Sequence, residues 1–162
     1  MAVTTRIAPC LWFDGQAEEA ANFYILIFKN SKITAISRYG EGSPGGGPGT
    51  VMVVKFELDG QTFTALNGGP MFKFTEAISL MVNCETQAEI DHYWDRLTAD
   101  GGKPVQCGWL KDKYGLSWQI VPTVIAELMQ HKNPVKSKAV MAALMQMVKL
   151  DIAALQKAFD GA

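Results

Sequence analysis

The chain has 162 residues, 48% of them hydrophobic and 19% charged, which is enough apolar material for a core in one domain or two small modules. A formal net charge of -1 excludes any global pull towards nucleic acid or an anionic membrane. No segment approaches about 18 uninterrupted apolar residues, and the opening MAVTTRIAPCLWF lacks the basic region, apolar run and cleavage site of a signal peptide, so neither a membrane span nor a leader is predicted.

Residues 7–13 read as a strand, broken at Asp14-Gly15. Helical spacing follows over 16–28 through Ala17, Ala20, Ala21, Tyr24 and Phe28. A strand is predicted at about 32–39, then GEGSPGGGPG (40–49), which cannot form regular structure. TVMVVKFEL and QTFTALN flank Asp59-Gly60, a strong hairpin signal. The second half repeats the plan. AISLMVNC (77–84) is a strand, and Thr86 with Glu89 makes a capping box for a helix through Ile90, Tyr93, Trp94 and Leu97. Gly101-Gly102 stops that helix. KPVQCGWLKDKYGLSWQIV holds the remaining strands, turning at Lys113-Tyr114-Gly115.

The order of elements and the hairpin position agree between the halves, so the chain is read as an internal duplication over about 5–70 and 76–122. The fold class is α+β: two strand–helix–three-strand modules forming a curved mixed sheet within 1–122, and a helical extension over 123–162. In that extension Asn133-Pro134 is a cap and first helical residue. Val140, Met141, Leu144, Met145, Met147 and Val148 form a broad apolar face, read as packed on its own domain or on a partner subunit. Lys132, Lys136 and Lys138 read as a solvated helix face. Cys10, Cys84 and Cys107 are odd in number and without CxxC, which suits thiols in a cytoplasmic protein.

Successive strand residues point to opposite faces. Ile7, Pro9, Leu11, Phe13, Phe63, Ile78, Leu80, Val82, Trp118 and Ile120 suit the face beneath the helices. The opposite face collects Ala8, Cys10 and Trp12; Thr62, Thr64 and Leu66; Ala77, Ser79 and Met81; Ser117, Gln119 and Val121. That mixture is too polar for a core and too apolar for a wet surface, as the lining of a ligand cavity is. On it Gln119 offers a donor and an acceptor, either to a ligand or within the sheet.

A duplicated module of this kind resembles the vicinal oxygen chelate superfamily of glyoxalase I, extradiol dioxygenases and bleomycin-resistance proteins. PCLWFDGQAEEAANFY, LNGGPMFKFTEAISLMVNCETQAEIDHYW and QCGWLKDKYGLSWQIVP look like its PhnB-like branch, over about residues 5–128. The superfamily's enzymes hold a divalent metal through ligands on the first and last strands of each module. Carried over by strand position, the resemblance places those ligands at Ala8, Ala77, Thr64 and Gln119, with Glu76 entering if the register slips by one. Such a set implies no metal site and no cofactor.

Other signals are read plainly. Gly40-Glu41-Gly42-Ser43-Pro44-Gly45 matches G-x-G-x-x-G, but Gly, Pro and then a strand follow it, so it is no dinucleotide site. It is read as a mobile flap or a mere connection. The same loop argues against the methyltransferase label that the PhnB-like branch often carries. His92 and His131 are surface or packing histidines, Cys10 is a nucleophile only if its pKa is lowered, and Lys111 and Asp112 are solvated turn charges. The expected function is metal-independent binding of a small, partly apolar molecule, as in the bleomycin-resistance relatives, by Cys10, Trp12, Thr64, Asn67, Ser79 and Gln119. The expected partners are that ligand and a second copy of the chain, with no nucleic acid and no membrane. The alternative is a glyoxalase- or dioxygenase-type enzyme with displaced ligands, or a cofactor-free acid–base catalyst using Glu76 or Cys10. A structural dimer without a ligand is the third reading.

Overall fold

The computed structural model describes residues 5–162. They fall into two compact units, one ending at Phe74 and the other starting at Thr75.

The first unit runs β1 (Cys10–Phe13), α1 (Ala17–Ile25), β2 (Lys32–Arg38), β3 (Val51–Leu58) and β4 (Gln61–Asn67). Its sheet has the order β1-β4-β3-β2, with β1 parallel to β4 and the other pairs antiparallel. The β3–β4 hairpin closes with Leu58 opposite Gln61, and its two turn residues, Asp59 and Gly60, have φ of 46° and 81°. Two consecutive positive φ values match the twist of the strands, and Asp-Gly accepts them at low cost. Alternation then divides the sheet. Leu11, Phe13, Val54, Phe56, Leu58, Phe63 and Ala65 are buried on one face together with Ala17, Ala20, Ala21 and Tyr24 of α1. The three alanines let the helix approach closely. Tyr24 stacks on Phe56 at 6.3 Å, and Phe56 on Phe63 at 5.4 Å.

The second unit runs β5 (Ser79–Cys84), α2 (Gln87–Thr98), β6 (Lys103–Pro104), β7 (Trp109–Lys111) and β8 (Ser117–Pro122). Its order, β5-β8-β7-β6, reproduces that of the first sheet, again with one parallel pair. The duplicated α+β module is therefore present in full, each copy with its own four-stranded mixed sheet. Thr86 caps α2 by accepting from the Glu89 N–H at 3.2 Å, while the Glu89 carboxylate accepts from the Glu85 N–H at 2.8 Å. Cys84, Leu110, Trp118 and Ile120 are buried along with Ile90, Trp94 and Leu97 of α2.

Three helices complete this unit: α3 (Val124–Met129), α4 (Pro134–Leu144) and α5 (Ile152–Asp160). They share a small core of Leu128, Val140 and Leu155, against which Ala143, Leu144, Met147 and Phe159 pack. Asn133 caps α4 from its side chain, with Pro134 in the first turn. Backbone bonds from Cys107 to Met147 (2.9 Å) and from Gly108 to Val148 (2.8 Å) fasten the extension to the second module. Gln87 holds it as well, donating to the Leu150 carbonyl and accepting from the Ile152 N–H. Among the described residues no helix is long and apolar enough to cross a membrane.

Three expectations need correction. Ile7 and Ile78, assigned to the core, are 87% and 63% exposed. Both strands start later than alternation suggests, because their parallel pairing begins only at Thr64 and Ser117. Asp112, read as solvated, is 3% exposed. One of its oxygens accepts from the N–H groups of Tyr114 and Leu116, the other from Trp118 Nε1 at 2.9 Å, so it pins the turn to the core tryptophan. The apolar face of the extension is split: Val140 is buried and Leu144 and Met147 are half-buried, but Met141, Met145 and Val148 are 42%, 56% and 41% exposed. Helix α4 ends at Leu144, and the chain beyond it no longer continues the stripe. The glycine-rich loop is folded down. The Tyr39 N–H donates to the Thr50 carbonyl and the Gly49 N–H to the Tyr39 carbonyl, which extends the β2–β3 ladder, and a Cβ on Gly46 would lie 2.3 Å from the Tyr39 ring.

Candidate functional site

Each sheet has a face that its own helix does not cover. In the first unit the register sets Trp12, Leu66 and Val53 abreast, and Cys10, Thr64 and Lys55 abreast in the next row. Trp12, Leu66, Val53 and Thr64 are half-buried, whereas Cys10 and Lys55 are exposed. An apolar ledge thus borders a row carrying a thiol, a hydroxyl and an ammonium. Trp12 is held in place: Nε1 donates to the Gly69 carbonyl at 2.8 Å, and Phe72 meets the indole edge-on at 4.9 Å. The backbone comes so close at Gly68 that a Cβ there would lie 2.3 Å from the indole.

In the second unit Ser79, Ser117 and Lys111 form one row, and Met81, Gln119 and Trp109 the next. Gln119 Nε2 donates to Ser79 Oγ at 2.9 Å, so one arm of its amide is used within the sheet. Its Oε1 remains as an acceptor and its second N–H as a donor. Asn67 does not belong with these groups. It is 9% exposed on the helix side of the first sheet, where Oδ1 accepts from the Ala17 N–H and Nδ2 donates to the Val51 carbonyl. It ties α1, β3 and β4 together, as its parity with Phe63 and Ala65 already implies.

The ladders also revise the pairing of the two halves. Thr64 lies opposite Cys10, and Gln119 opposite Met81. With Thr64 and Gln119 equivalent, Cys10 corresponds to Met81 and Ala8 to Ser79, so Ala77 falls two residues early, before β5. Sequence reasoning misses Lys55 and Trp109 on these faces, among others. Lys55 is hidden in a run that reads as core, and Trp109 in a short WLK strand. Strict alternation from Val54 and Leu110 exposes both.

The donors on the two faces do not fit a divalent ion. A thiol, three hydroxyls, a thioether and a neutral amide lack the carboxylates and imidazoles such a site needs. Among the described residues no three His, Cys, Asp or Glu side chains gather into a candidate metal site. Acid–base chemistry fares no better. Partial desolvation raises the thiol of Cys10 although the residue is exposed, the opposite of an activated nucleophile. Glu76 is bonded to Lys111, which lowers its carboxyl, whereas a general acid needs it raised. Cys84 is pushed up to about 12 by burial, and next by the Glu89 charge. His131 packs edge-on against Phe159 at 4.9 Å and His92 against Tyr93 at 5.1 Å. The segment matching G-x-G-x-x-G passes through turns into β3, so no helix N-terminus is offered to a pyrophosphate.

A family model described as 3-demethylubiquinone-9 3-methyltransferase matches residues 5–121. The chain belongs to this family. Its fold is shared with more distant proteins of known structure. The PhnB protein of Bacillus cereus is 42% identical over 74% of this chain and 100% of its own, with a TM-score of 0.67. Protein PA1353 of Pseudomonas aeruginosa is similar at 19% identity over 74% of this chain and 98% of its own, TM-score 0.60. The fosfomycin resistance protein FosX of Listeria monocytogenes, complexed with Mn(II) and sulfate, shares the fold at 15% identity over 78% of this chain and 96% of its own, TM-score 0.52. No curated protein matches the chain.

Proposed function

We propose that the family fold serves here to bind a small, partly apolar molecule without a metal, the first unit's open face offering Trp12, Thr64 and Cys10 and the second unit's open face offering Ser79 and Gln119. The observation that carries the reading is Trp12. It is a half-buried indole fixed by a hydrogen bond and an edge-on phenyl ring, on a sheet face that α1 leaves uncovered. A rigid aromatic surface one row from the Thr64 hydroxyl offers stacking and orientation at little entropic cost. The donor chemistry of Thr64, Ser79, Met81 and Gln119 favours binding over metal catalysis. The loop that leads into a strand favours it over methyl transfer, whatever the family is called. The setting we propose is the cytoplasm, where the free thiols Cys10, Cys84 and Cys107 persist. We also propose a homodimer, supported by the exposed Met141, Met145 and Val148.

The test has two arms. Native mass spectrometry of protein purified without chelator should show a co-purified or added small aromatic molecule, and Trp12→Ala should lose it. Elemental analysis followed by Ni, Zn and Mn titration calorimetry should show no stoichiometric metal. A metal bound at one equivalent and lost in Gln119→Ala would replace binding by metalloenzyme chemistry.

A further inference from the structure

The first unit also contains a cleft that belongs to neither sheet row. It encloses about 600 Å³, within the range of small-molecule pockets. One wall is the turn before α1 and its first turn, with Asp14 and Glu18. The other is the end of β2, the folded glycine loop and the start of β3, with Arg38, Tyr39, Gly46 and Thr50.

Both walls are preformed. Tyr39 is 8% exposed, and its hydroxyl donates to the Asn67 carbonyl at 2.5 Å. The Asn67 side chain holds the first wall through the Ala17 N–H and the second through the Val51 carbonyl, at 2.9 and 3.0 Å. Arg38 Nη1 donates to the Gly49 carbonyl at 3.0 Å and fastens the loop. That bond uses one of the five guanidinium donors.

The charges decide what such a cleft takes. Asp14 and Glu18 stand on one wall and Arg38 on the other, yet among the described residues none of the three forms an ion pair. Opposite charges that line one preformed cleft without meeting leave room between them for a molecule carrying both complements. The glycines of the loop leave backbone groups and the Tyr39 ring within reach. We propose that this cleft binds a small zwitterion, its ammonium received by Asp14 and Glu18 and its acid group by Arg38. The proposal is independent of the sheet-face reading.

The test is amide chemical-shift titration of the full chain with β-alanine and 4-aminobutyrate, and with propylamine and propionate as single-charge probes. We expect saturable shifts at Gly15 and at residues 45–50 with at least one zwitterion, and about tenfold weaker binding of both single-charge probes, since each lacks one charge-assisted contact. Arg38→Gln should weaken the zwitterion and propionate and spare propylamine; Glu18→Gln should do the reverse for the single-charge probes. Absence of saturable shifts with both zwitterions at concentrations on the order of 10 mM overturns the proposal. So does equal binding of zwitterion and single-charge probe, or indifference to both substitutions.

Discussion

Trp12 and Trp118 sit on opposite kinds of sheet face, and their parity is legible in the stretches LWF and LSWQI alone. Trp118 is 2% exposed, whereas Trp12 is half-buried. Trp118→Ala should therefore cost about 3–5 kcal/mol in chemical denaturation as a buried large-to-small change. Trp12→Ala should cost less and should abolish ligand binding in a folded chain; an unchanged stability in Trp118→Ala would invert the two faces. The role of Asp112 is not legible in the same way. A charge in a K-D-K-Y-G turn looks solvated, and only the fold brings Trp118 Nε1 to its second oxygen. Asp112→Ala removes the acceptor of three hydrogen bonds and should destabilise by about 3 kcal/mol or more. Asp112→Asn keeps the acceptor for the two backbone N–H groups and should cost less. Equal losses for the two variants, measured by urea unfolding, would show that the two backbone bonds contribute nothing and that the loss lies with the tryptophan bond.

Among the elements, those with local chemistry are legible in the sequence: the Asp59-Gly60 hairpin, the Thr86 capping box, and the Asn133-Pro134 start. Strand starts are not, because pairing with a distant strand decides where β1 and β5 begin, and no nearby residue announces that. The docking of the extension is equally hidden, since it rests on Gln87, Asp91 and loop carbonyls far away in sequence. One contact there responds to pH. Lys149 Nζ lies 3.0 Å from an Asp91 oxygen and lowers the Asp91 carboxyl, with Gln87 adding to the effect. A carboxyl lowered in the folded state contributes stability that is present above its unfolded pKa and lost as pH falls through the folded one. The melting temperature of the wild type should thus fall more steeply than that of Asp91→Asn below about pH 4. Above that range the wild type should be the more stable of the two. Parallel curves across the acid range would mean that the pair does not hold the extension.

For the whole molecule, the duplication, the family and the α+β architecture are all visible in sequence, because the same element order occurs twice. The apolar stripe of the extension is the exception, since helical spacing reads it as one face. The structure divides it, burying Val140 in the helical core, packing half-buried Leu144 and Met147 against it, and leaving Met141, Met145 and Val148 outside. Met145 also lies 3.9 Å from the Cys107 sulphur, so the exposed side chains continue onto the loop before β7. Flexible, polarisable methionines suit an adaptable contact. A stable interface needs roughly 800 Å² from each partner, more than three side chains supply, so further surface must join them. We expect light scattering at micromolar concentration to give twice the monomer mass, and the melting temperature to rise with protein concentration as dimerisation requires. Met141→Asp combined with Met145→Asp puts charges on exposed positions, so the monomer fold should survive while the dimer is lost. A wild-type monomer removes the dimer altogether. A double variant that stays dimeric moves the interface away from the extension, leaving the uncovered sheet faces as the surface to test next.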